Sequence, residues 1–273
     1  MKLGLISSAW LDTPVDTARG IALTKEIGFD TIDIFADPME IGPQERKLIR
    51  DACAKSVLPV VSTVCVALGI ADFNKPVRDF HVERAKRYLD FGYELAGKNL
   101  LLVLGEYVWE QEVIPPQAQW NWAVEQVREL AEYAQRLGLE LAIELEPFQM
   151  SIVNTIARMD QFLKDVNHPA AKANVDISHV LLTGDPPQDI GKLKGRIAHV
   201  HLSDCDGKKH GDLPPGRGVV NFPPYLQALA DAGFEGTVSI ELEYSPEPDK
   251  IVDWVREAYD ATDRLMSELN IRN

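Results

Sequence analysis

The sequence predicts an α/β protein that folds as a single (β/α)8 barrel over residues 1–273. Short runs rich in Val, Ile and Leu alternate with longer amphipathic segments, and eight such runs can be counted. No Ser/Gly-rich or low-complexity stretch divides the chain into two domains. These two observations, together with glycines placed just before several of the runs, predict a repeating strand–helix unit.

The predicted strands and helix ends follow in order along the chain. The strands cover residues 3–7, 31–35, 58–64, 99–104, 139–144, 171–176, 196–202 and 237–242. Thr13 followed by Pro14 is typical of a helix N-terminus, because the hydroxyl can cap the first turn and proline fits the first helical position. The glycines predicted to end helices are Gly28, Gly97, Gly138 and Gly233. Such short helix–strand turns favour parallel strands.

An open, doubly wound sheet is the main alternative to the barrel. It would normally bind a nucleotide through a glycine-rich first turn. The residues after the first predicted strand, SSAWLDTP, contain no glycine. We therefore prefer the barrel, whose reactive groups are expected at the carboxyl ends of the strands.

Polar residues alternate with apolar ones in the last four predicted strands. Parallel strands are covered on both faces and are usually continuously apolar, so this alternation needs a cause. Residues two apart share one face of a strand, and the apolar neighbours are expected to face the helices. The polar pairs that then face the barrel axis are Glu144 and Glu146, Asn174 and Asp176, His199 and His201, and Glu241 and Glu243.

These pairs predict a metal site. Carboxylates brought together in a low-dielectric barrel mouth repel one another unless a cation lies between them. Mixed oxygen and nitrogen donors favour Mn²⁺ or a neighbouring divalent ion over a structural zinc. His201 is predicted to be a ligand, and His199, one layer deeper, is predicted to support the site or to contact substrate.

Composition narrows the possible partners. The chain carries 28 Lys and Arg against 42 Asp and Glu, a net charge of -14. This charge repels nucleic acid and acidic membrane surfaces and suits a small neutral ligand better. The first residues are too few and too polar for a signal peptide, and no later stretch approaches a membrane span. We therefore expect a cytoplasmic protein.

Five segments resemble the sugar isomerase/epimerase superfamily with xylose isomerase-like TIM barrels, which includes ketose 3-epimerases of the tagatose/allulose type. The segments are LAIELEPFQMSIVNT, NVDISH, HVHLSD, PGRGVVNF and FEGTVSIE. The resemblance covers most of the chain and is strongest over residues 139–243. It implies a metal ion held by Glu144, Asp176, His201 and Glu241, with His179 beside the substrate.

Two positions depart from the superfamily pattern. Strand 5 carries ELEP, where the well-known ketose epimerases have Glu-x-x-Asn-Arg. Strand 2 ends with Asp33, where a glutamate is common. Both changes preserve the predicted metal ligands and leave the identity of the sugar open.

The resemblance implies a metal-dependent epimerase or isomerase of a ketose or a related keto-sugar. One divalent ion per subunit, with Mn²⁺ ahead of Mg²⁺, Co²⁺ or Zn²⁺, would hold two adjacent substrate oxygens and ease removal of the neighbouring C–H proton. Glu144 and Glu241 are the predicted base and acid, which remove and return the proton through an enediolate. Because such barrels are often oligomeric, a homodimer or homotetramer is expected.

Three other functions are considered. A metal-dependent dehydratase or lyase of the same superfamily, of the inosose or dehydroshikimate type, shares the first proton abstraction and is not separated by the sequence. AP endonucleases of the superfamily are disfavoured, because their metal cluster draws histidines from the ends of strands 3 and 4, where this chain has VCVALG and LGEYVWE. A barrel that binds a small molecule without catalysis is the third alternative.

Loops at the barrel mouth supply further candidates for substrate contact. An aromatic wall against a sugar face is expected after strands 1 and 4. The polar segment DGKKHGDLPPGRG, which contains His210 and Arg217, could cover the site. The predicted substrate contacts are His179, His199, Glu146, Glu106, Trp109, Trp10 and Arg217.

Overall fold

In a computed structural model, which describes residues 1–109 and 113–273, the chain forms a closed barrel of parallel strands. The strands of this part of the chain are β1 (Lys2–Ile6), β2 (Thr31–Ile34), β3 (Val60–Val66), β4 (Asn99–Val103), β5 (Glu140–Ile143), β6 (Ala171–Asp176), β7 (Ile197–Leu202) and β8 (Thr237–Ile240). Strands that follow one another in sequence pair in the barrel, and β1 pairs with β8 to close it. The predicted (β/α)8 fold class is confirmed.

Helices follow the strands and surround the barrel. They are α1 (Thr17–Ile27), α2 (Pro43–Ser56), α3 (Lys75–Glu94), α4 (Pro116–Arg136), α5 (Ile156–Val166), α6 (Ile177–Thr183), α7 (Phe222–Asp231) and α8 (Ile251–Glu268). Short 3₁₀ segments cover Ser7–Trp10, Pro187–Leu193 and Pro248–Lys250. The long helices bury one face against the barrel and expose the other. Within the described residues, no helix has both the length and the hydropathy needed to cross a bilayer.

The predicted N-cap at Thr13 is wrong. The side chain of Asp16 caps α1 by accepting a hydrogen bond from the backbone N–H of Arg19. The Thr13 hydroxyl instead donates to the carbonyl of Trp10 and accepts from the N–H of Val15. Thr13 therefore closes the 3₁₀ turn after β1, and the helix starts one short loop later.

Three of the four glycines predicted to end helices do so. Residues with positive φ follow α1, α4 and α7, and these are Gly28, Gly138 and Gly233. After α3 the left-handed residue is Ala96, with φ of 54°, and not Gly97. A Cβ at Gly97 would lie 3.1 Å from the carbonyl oxygen of Gly92, so this glycine is needed for close backbone approach.

Side chains of the strands alternate between the helices and the barrel interior. Residues that face outward form the largest core with the helices. On β1, β3 and β4 three interior side chains near the carboxyl end are apolar, and Ile6, Val64 and Leu101 form a separate small cluster there. One layer deeper, β3 and β4 bury Ser62 and Asn99. Strand register places Leu101 beside Val64, so these two side chains lie in one layer.

The same register brings the polar residues of β6 and β7 together. Asn174 pairs with His199, and Asp176 pairs with His201. The structure ends β5 and β8 one residue before Glu144 and Glu241, whereas the predicted strands included both. The backbone N–H groups of the two glutamates still donate to the preceding strands, so their side chains start at the rim of the barrel.

Candidate metal centre and active site

The four side chains predicted as metal ligands converge at the carboxyl end of the barrel. Glu241 Oε2 lies 3.3 Å from His201 Nδ1, and Glu144 Oε2 lies 3.9 Å from the same nitrogen. Glu144, Asp176 and His201 each offer one ligand atom, and these three atoms lie within 4.8 Å of one another. Three predicted ligands, from the ends of β5, β6 and β7, therefore lie within reach of one ion, and Glu241 after β8 borders this group at His201.

Four atoms of this cluster are buried without a hydrogen-bond partner in the part of the chain that the structure describes. They are Glu144 Oε2, Asp176 Oδ2 and both ring nitrogens of His201. Buried polar atoms are nearly always paired, so an orphaned group of this kind calls for an ion or water. One imidazole nitrogen and several carboxylate oxygens form a donor set that divalent ions accept. The residues present fit a divalent metal ion.

Protonation of the cluster also fits a metal site. Burial raises the pKa of both Glu144 and Glu241 well above the usual range, and neighbouring carboxylates add to the effect. Burial, assisted by His199, lowers the pKa of His201 to about 3. The His201 ring is therefore neutral at physiological pH, and a nitrogen lone pair is available for ligation.

Asp176 differs from the two glutamates. Burial alone would raise its pKa, but the rings of His179 and His210 and the N–H of His179 lower it to about 2. Asp176 Oδ1 also accepts a hydrogen bond from the Ser178 hydroxyl. The site thus contains an ionised aspartate next to two glutamates that hold protons more strongly.

A second buried layer lies deeper in the barrel. His199 Nε2 is 2.8 Å from Asp33 Oδ2, and both side chains are fully buried. Asp33 Oδ1 accepts from the backbone N–H of Ser62, and its Oδ2 lies 3.8 Å from His201 Nε2. Asp33 therefore lies on the side of the His201 ring that faces away from the carboxylate cluster, where carboxylates commonly support metal-binding histidines.

Two groups of side chains in the described residues have metal-like spacing, and they share His201. One is Glu144, Asp176 and His201, and the other is Asp33, His199 and His201. In the lower group His199 Nε2 is paired with Asp33 Oδ2, while His199 Nδ1 has no partner among the described residues. The upper group leaves one oxygen on each carboxylate and both ring nitrogens of His201 unpaired, so it is the better candidate for a metal site. Of the two roles predicted for His199, its complete burial favours support over substrate contact.

The rim of the site is acidic. Burial raises the pKa of Glu146, and the facing rings of His179 and His210 act against this rise. Burial and the nearby Asp212 carboxylate raise the pKa of Glu243. These two glutamates lie two residues beyond the inner pair, as the predicted alternation requires.

His179, predicted to lie beside the substrate, borders the cluster. Its Nδ1 lies 2.7 Å from the carbonyl oxygen of Leu145 and 3.8 Å from Glu144 Oε1. Its backbone N–H donates to Asp176 Oδ1. Its Nε2 lies 2.8 Å from Nδ1 of His210, a residue of the loop between β7 and α7.

Two other predicted contacts are occupied with partners on the outer helices. The Trp10 indole N–H donates to the hydroxyl of Thr24 in α1, and the side chain is buried. The Arg217 guanidinium binds both carboxylate oxygens of Glu257 in α8 and stacks on Trp254. Neither assignment as a substrate contact is tested by these interactions, which give both side chains a packing role.

The loop after β4 carries two more of the predicted substrate contacts, Glu106 and Trp109. Glu106 is exposed and forms an antiparallel backbone bridge with Ser151. Trp109 is partly exposed, and its ring centroid lies 5.8 Å from that of Phe73. Both residues lie in the mouth loops, where they stay candidates for substrate contact.

Sequence reasoning missed the role of Asp33 and did not single out Asp212. Asp33 was noted only as a departure from a superfamily pattern, although an aspartate between two isoleucines in TIDI carries the same signal as the polar pairs of the later strands. Asp212 Oδ2 lies 2.9 Å from His210 Nε2, and nothing in the local sequence distinguishes it from a solvated loop residue.

Comparison with known families identifies the fold family. A family model described as xylose isomerase-like TIM barrel matches residues 21–264. The chain belongs to the xylose isomerase-like TIM barrel family. The resemblance inferred from the sequence is thereby confirmed.

Two characterised relatives match nearly the whole chain. The chain is 25% identical over 254 residues to fructoselysine 3-epimerase from Escherichia coli O157:H7, covering 89% of this chain and 90% of that protein. It is 26% identical over 252 residues to D-psicose 3-epimerase from Ruminiclostridium cellulolyticum, covering 88% and 83%. Both relatives are named as epimerases, the enzyme class that the sequence predicts.

A solved crystal structure has the same fold as this chain. The IolI protein, whose crystal structure holds a zinc atom, superimposes with a TM-score of 0.83 at 21% identity. The match covers 98% of this chain and 99% of that one. At this level of identity the similarity shows the common barrel.

Proposed function

We propose that this protein is a divalent-metal-dependent epimerase of a ketose or related keto-sugar, acting at carbon 3. The observation that carries the proposal is a pair of glutamates, the buried Glu144 and the largely buried Glu241, whose carboxylates approach His201 from the ends of non-adjacent strands. Both matched relatives are 3-epimerases, and in a ketose the C3–H bond is adjacent to the C2 carbonyl. Removal of that proton is the step for which two carboxylates are suited.

The metal ion would be held by Glu144, Asp176, His201 and Glu241. A bound divalent ion would polarise the substrate carbonyl and make the neighbouring C–H more acidic. We propose Mn²⁺, with Mg²⁺, Co²⁺ and Zn²⁺ as other candidates, because the donor set mixes carboxylate oxygens with one imidazole nitrogen.

The two glutamates then divide the proton transfers. One glutamate removes the C3 proton from one face of the substrate, and the resulting enediolate receives a proton from the other glutamate on the opposite face. Burial and neighbouring carboxylates raise the pKa of both residues, which makes each a stronger proton acceptor than an exposed glutamate. The carbon leaves the site with inverted configuration.

The decisive test is hydrogen exchange with solvent. The Mn²⁺-loaded protein is incubated in deuterated water with a panel of free and phosphorylated ketoses. We expect deuterium at C3 of a substrate and the appearance of its C3 epimer. A product lighter by one water would identify a dehydratase instead. Absence of both deuterium and any effect of chelator would favour a non-catalytic binding barrel.

We also propose that the protein is a homo-oligomer. Large apolar side chains are exposed on α3 and on the loops after β3 and β4, namely Leu68, Phe73, Phe80 and Trp109. Exposed apolar side chains that cluster on one side of a molecule commonly mark an interface. Light scattering is expected to give the mass of a dimer or tetramer, and a monomer would contradict the proposal.

A cytoplasmic location is proposed on the state of the cysteines. Cys53, Cys65 and Cys205 are all buried free thiols. Reducing compartments keep thiols in this form.

A further inference from the structure

The loop between β7 and α7, residues 203–221, is anchored by one buried carboxylate. Asp204 Oδ1 accepts hydrogen bonds from the backbone N–H groups of Cys205 and Val220. Asp204 Oδ2 accepts from those of Gly216 and Gly218. A single side chain at the end of β7 therefore holds both the start and the return of the loop.

Two further contacts fix the path of this loop. Asp204 and Leu213 exchange both backbone hydrogen bonds, at 2.7 and 2.9 Å. A Cβ at Gly218 would lie 2.2 Å from the carbonyl oxygen of Cys205, so no other residue fits this approach. The loop tip, residues 206–212, is consequently held at a fixed position above the barrel mouth.

Asp212 occupies a strained position in that tip. Its φ is 42°, in the left-handed region, and its side chain is buried. A non-glycine residue adopts this conformation at an energetic cost, so the surrounding structure must determine it. In this conformation Asp212 Oδ2 lies 2.9 Å from His210 Nε2.

His210 and its neighbours form a chain of three hydrogen bonds. The chain runs from the carbonyl of Leu145 to His179 Nδ1, from His179 Nε2 to His210 Nδ1, and from His210 Nε2 to Asp212 Oδ2. The carbonyl oxygen can only accept, so His179 Nδ1 carries a proton. Each of the other two bonds also needs one proton.

Counting protons assigns a charge to this chain. Three bonds need three protons, and two neutral imidazoles carry only two. An imidazole binds a proton more strongly than a carboxylate does, so the extra proton belongs to a ring and not to Asp212, and one ring is an imidazolium. His210 is the ring that faces the Asp212 carboxylate directly, so the charge is placed on His210.

We propose that His210, charged by Asp212 and held by the Asp204-anchored loop, is a positioning residue that fixes His179 against the metal cluster and supplies a built-in positive charge to the acidic mouth. This inference rests on the proposed function. His210 acts through His179, which lies against Asp176 and Glu144, and it touches neither of these candidate ligands itself in the contacts described above.

The electrostatics of the mouth support this arrangement. Burial would lower the pKa of His210, but the hydrogen bond and charge of Asp212, with Asp176 and Glu146, raise it to about 9. The ring is then largely protonated at neutral pH. The charge of His210 in turn favours the ionised forms of Glu146 and Glu243 at the rim.

The protonation state can be measured directly. In protein labelled with ¹⁵N-histidine and supplied with diamagnetic Mg²⁺, long-range ¹H–¹⁵N correlation at about pH 8 distinguishes imidazolium from either neutral tautomer. His210→Gln identifies the His210 signals. We expect both nitrogens of His210 to be protonated. A singly protonated His210 would overturn the charge assignment.

Asp212→Asn is the matched variant, because asparagine tolerates positive φ as well as aspartate does and keeps the side-chain shape. We expect His210 to become neutral at the same pH in this variant. An unchanged charged state of His210 would overturn the role of Asp212. Circular dichroism melting shows whether the variant remains folded, so a change in the ring signals is read only from folded protein.

Turnover tests the positioning role separately. His210→Gln and Asp212→Asn are expected to lower kcat about 10- to 100-fold, the usual cost of losing a supporting partner, with a smaller change in KM. Lys209→Ala, which removes an exposed neighbour of His210, is the control and should retain kcat. The positioning role would be overturned if His210 is charged in the wild type and both variants nevertheless keep the wild-type kcat. Failure of the proposed epimerase function would appear instead as absent turnover in the wild type, which leaves the spectroscopic result intact.

Discussion

The two halves of the barrel differ in what their strands place in the interior. Strands β1, β3 and β4 contribute Ile6, Val64 and Leu101, which pack as an apolar cluster. Strands β5 to β8 contribute the four predicted ligands at the same end of the barrel, with His199 and Asn174 one layer below. A barrel needs packed apolar layers to close, so concentrating polar groups in one half confines the chemistry to that half.

The space above the two halves differs as well. A cavity of about 660 Å³ opens at the ends of β1 to β3. Apolar side chains such as Trp10, Ile34 and Val64 form much of its lining, and the ion pair between Arg84 and Asp37 closes one side. The first half of the mouth thus contains this cavity, whereas the second half contains the cluster of predicted metal ligands. Asp33 connects them, because it starts on β2 and reaches His199 on β7.

The largest effect is expected from the two glutamates of the second half. Glu144→Gln and Glu241→Gln should each lower turnover by about 10²- to 10⁴-fold, because each removes one proton-transfer group. Steady-state kinetics measures this loss. Glu140→Gln, at the opposite end of β5, is the control and should retain activity. Near wild-type rates in both glutamine variants would contradict the assignment of acid and base.

Asp33→Asn tests whether the first half contributes to the chemistry through its one connecting side chain. The substitution keeps the shape but removes the charge that faces His199 and His201. We expect metal affinity or turnover to fall about 10- to 100-fold, as for other carboxylates that support a metal-binding histidine. Metal titration and kinetics together measure the change. Wild-type values for both would confine Asp33 to a structural role.

The stabilisation of the protein by a metal ion is expected to depend on pH. The folded-state pKa values of Glu144 and Glu241 are raised, so the unfolded chain loses these protons first as pH rises, and their contribution to the stability of the metal-free fold falls. Metal binding requires the ionised carboxylates. The gain in melting temperature on adding Mn²⁺ to chelator-treated protein should therefore increase between about pH 5 and about pH 8. A gain independent of pH would show that these glutamates are not ligands.

The smallest effect on turnover is expected in the first half. Asp37→Ala removes the partner of the largely buried Arg84 guanidinium. We expect the free energy of unfolding to fall by about 1–3 kcal/mol, between the values typical of exposed and buried pairs. Turnover should stay close to that of the wild type. Denaturant unfolding and kinetics measure the two quantities, and a large loss of kcat in folded protein would break the division between the halves.

Most of the site residues on β5 to β8 could be predicted, because the alternation of polar and apolar residues is visible within each strand. Alternation within a strand assigns Glu144, Asp176, His201 and Glu241 to the axial face, and the parallel order of the strands brings their ends to one rim. Strand ends were less predictable. Glu144 and Glu241 fall one residue beyond β5 and β8, since pairing with the neighbouring strand decides where a strand stops.

Other parts of the site depend on contacts between distant residues. Asp33 and His199 are 166 positions apart in sequence and meet across the barrel interior. His210 and Asp212 belong to a loop whose path is fixed by Asp204. No local pattern of apolar and polar residues encodes a loop path, so the loop contacts of Trp10 and Arg217 were equally beyond sequence reasoning.

The sequence by itself determined the repeating strand–helix unit, the family and the face on which the polar residues lie, because periodicity and motif spacing are properties of neighbouring positions. The tertiary structure decided which polar groups pair and which stay unpaired. It alone separates the hydrogen-bonded Asp33 Oδ2 and His199 Nε2 from the unpaired atoms of Glu144, Asp176 and His201, because this distinction depends on distances across a closed barrel.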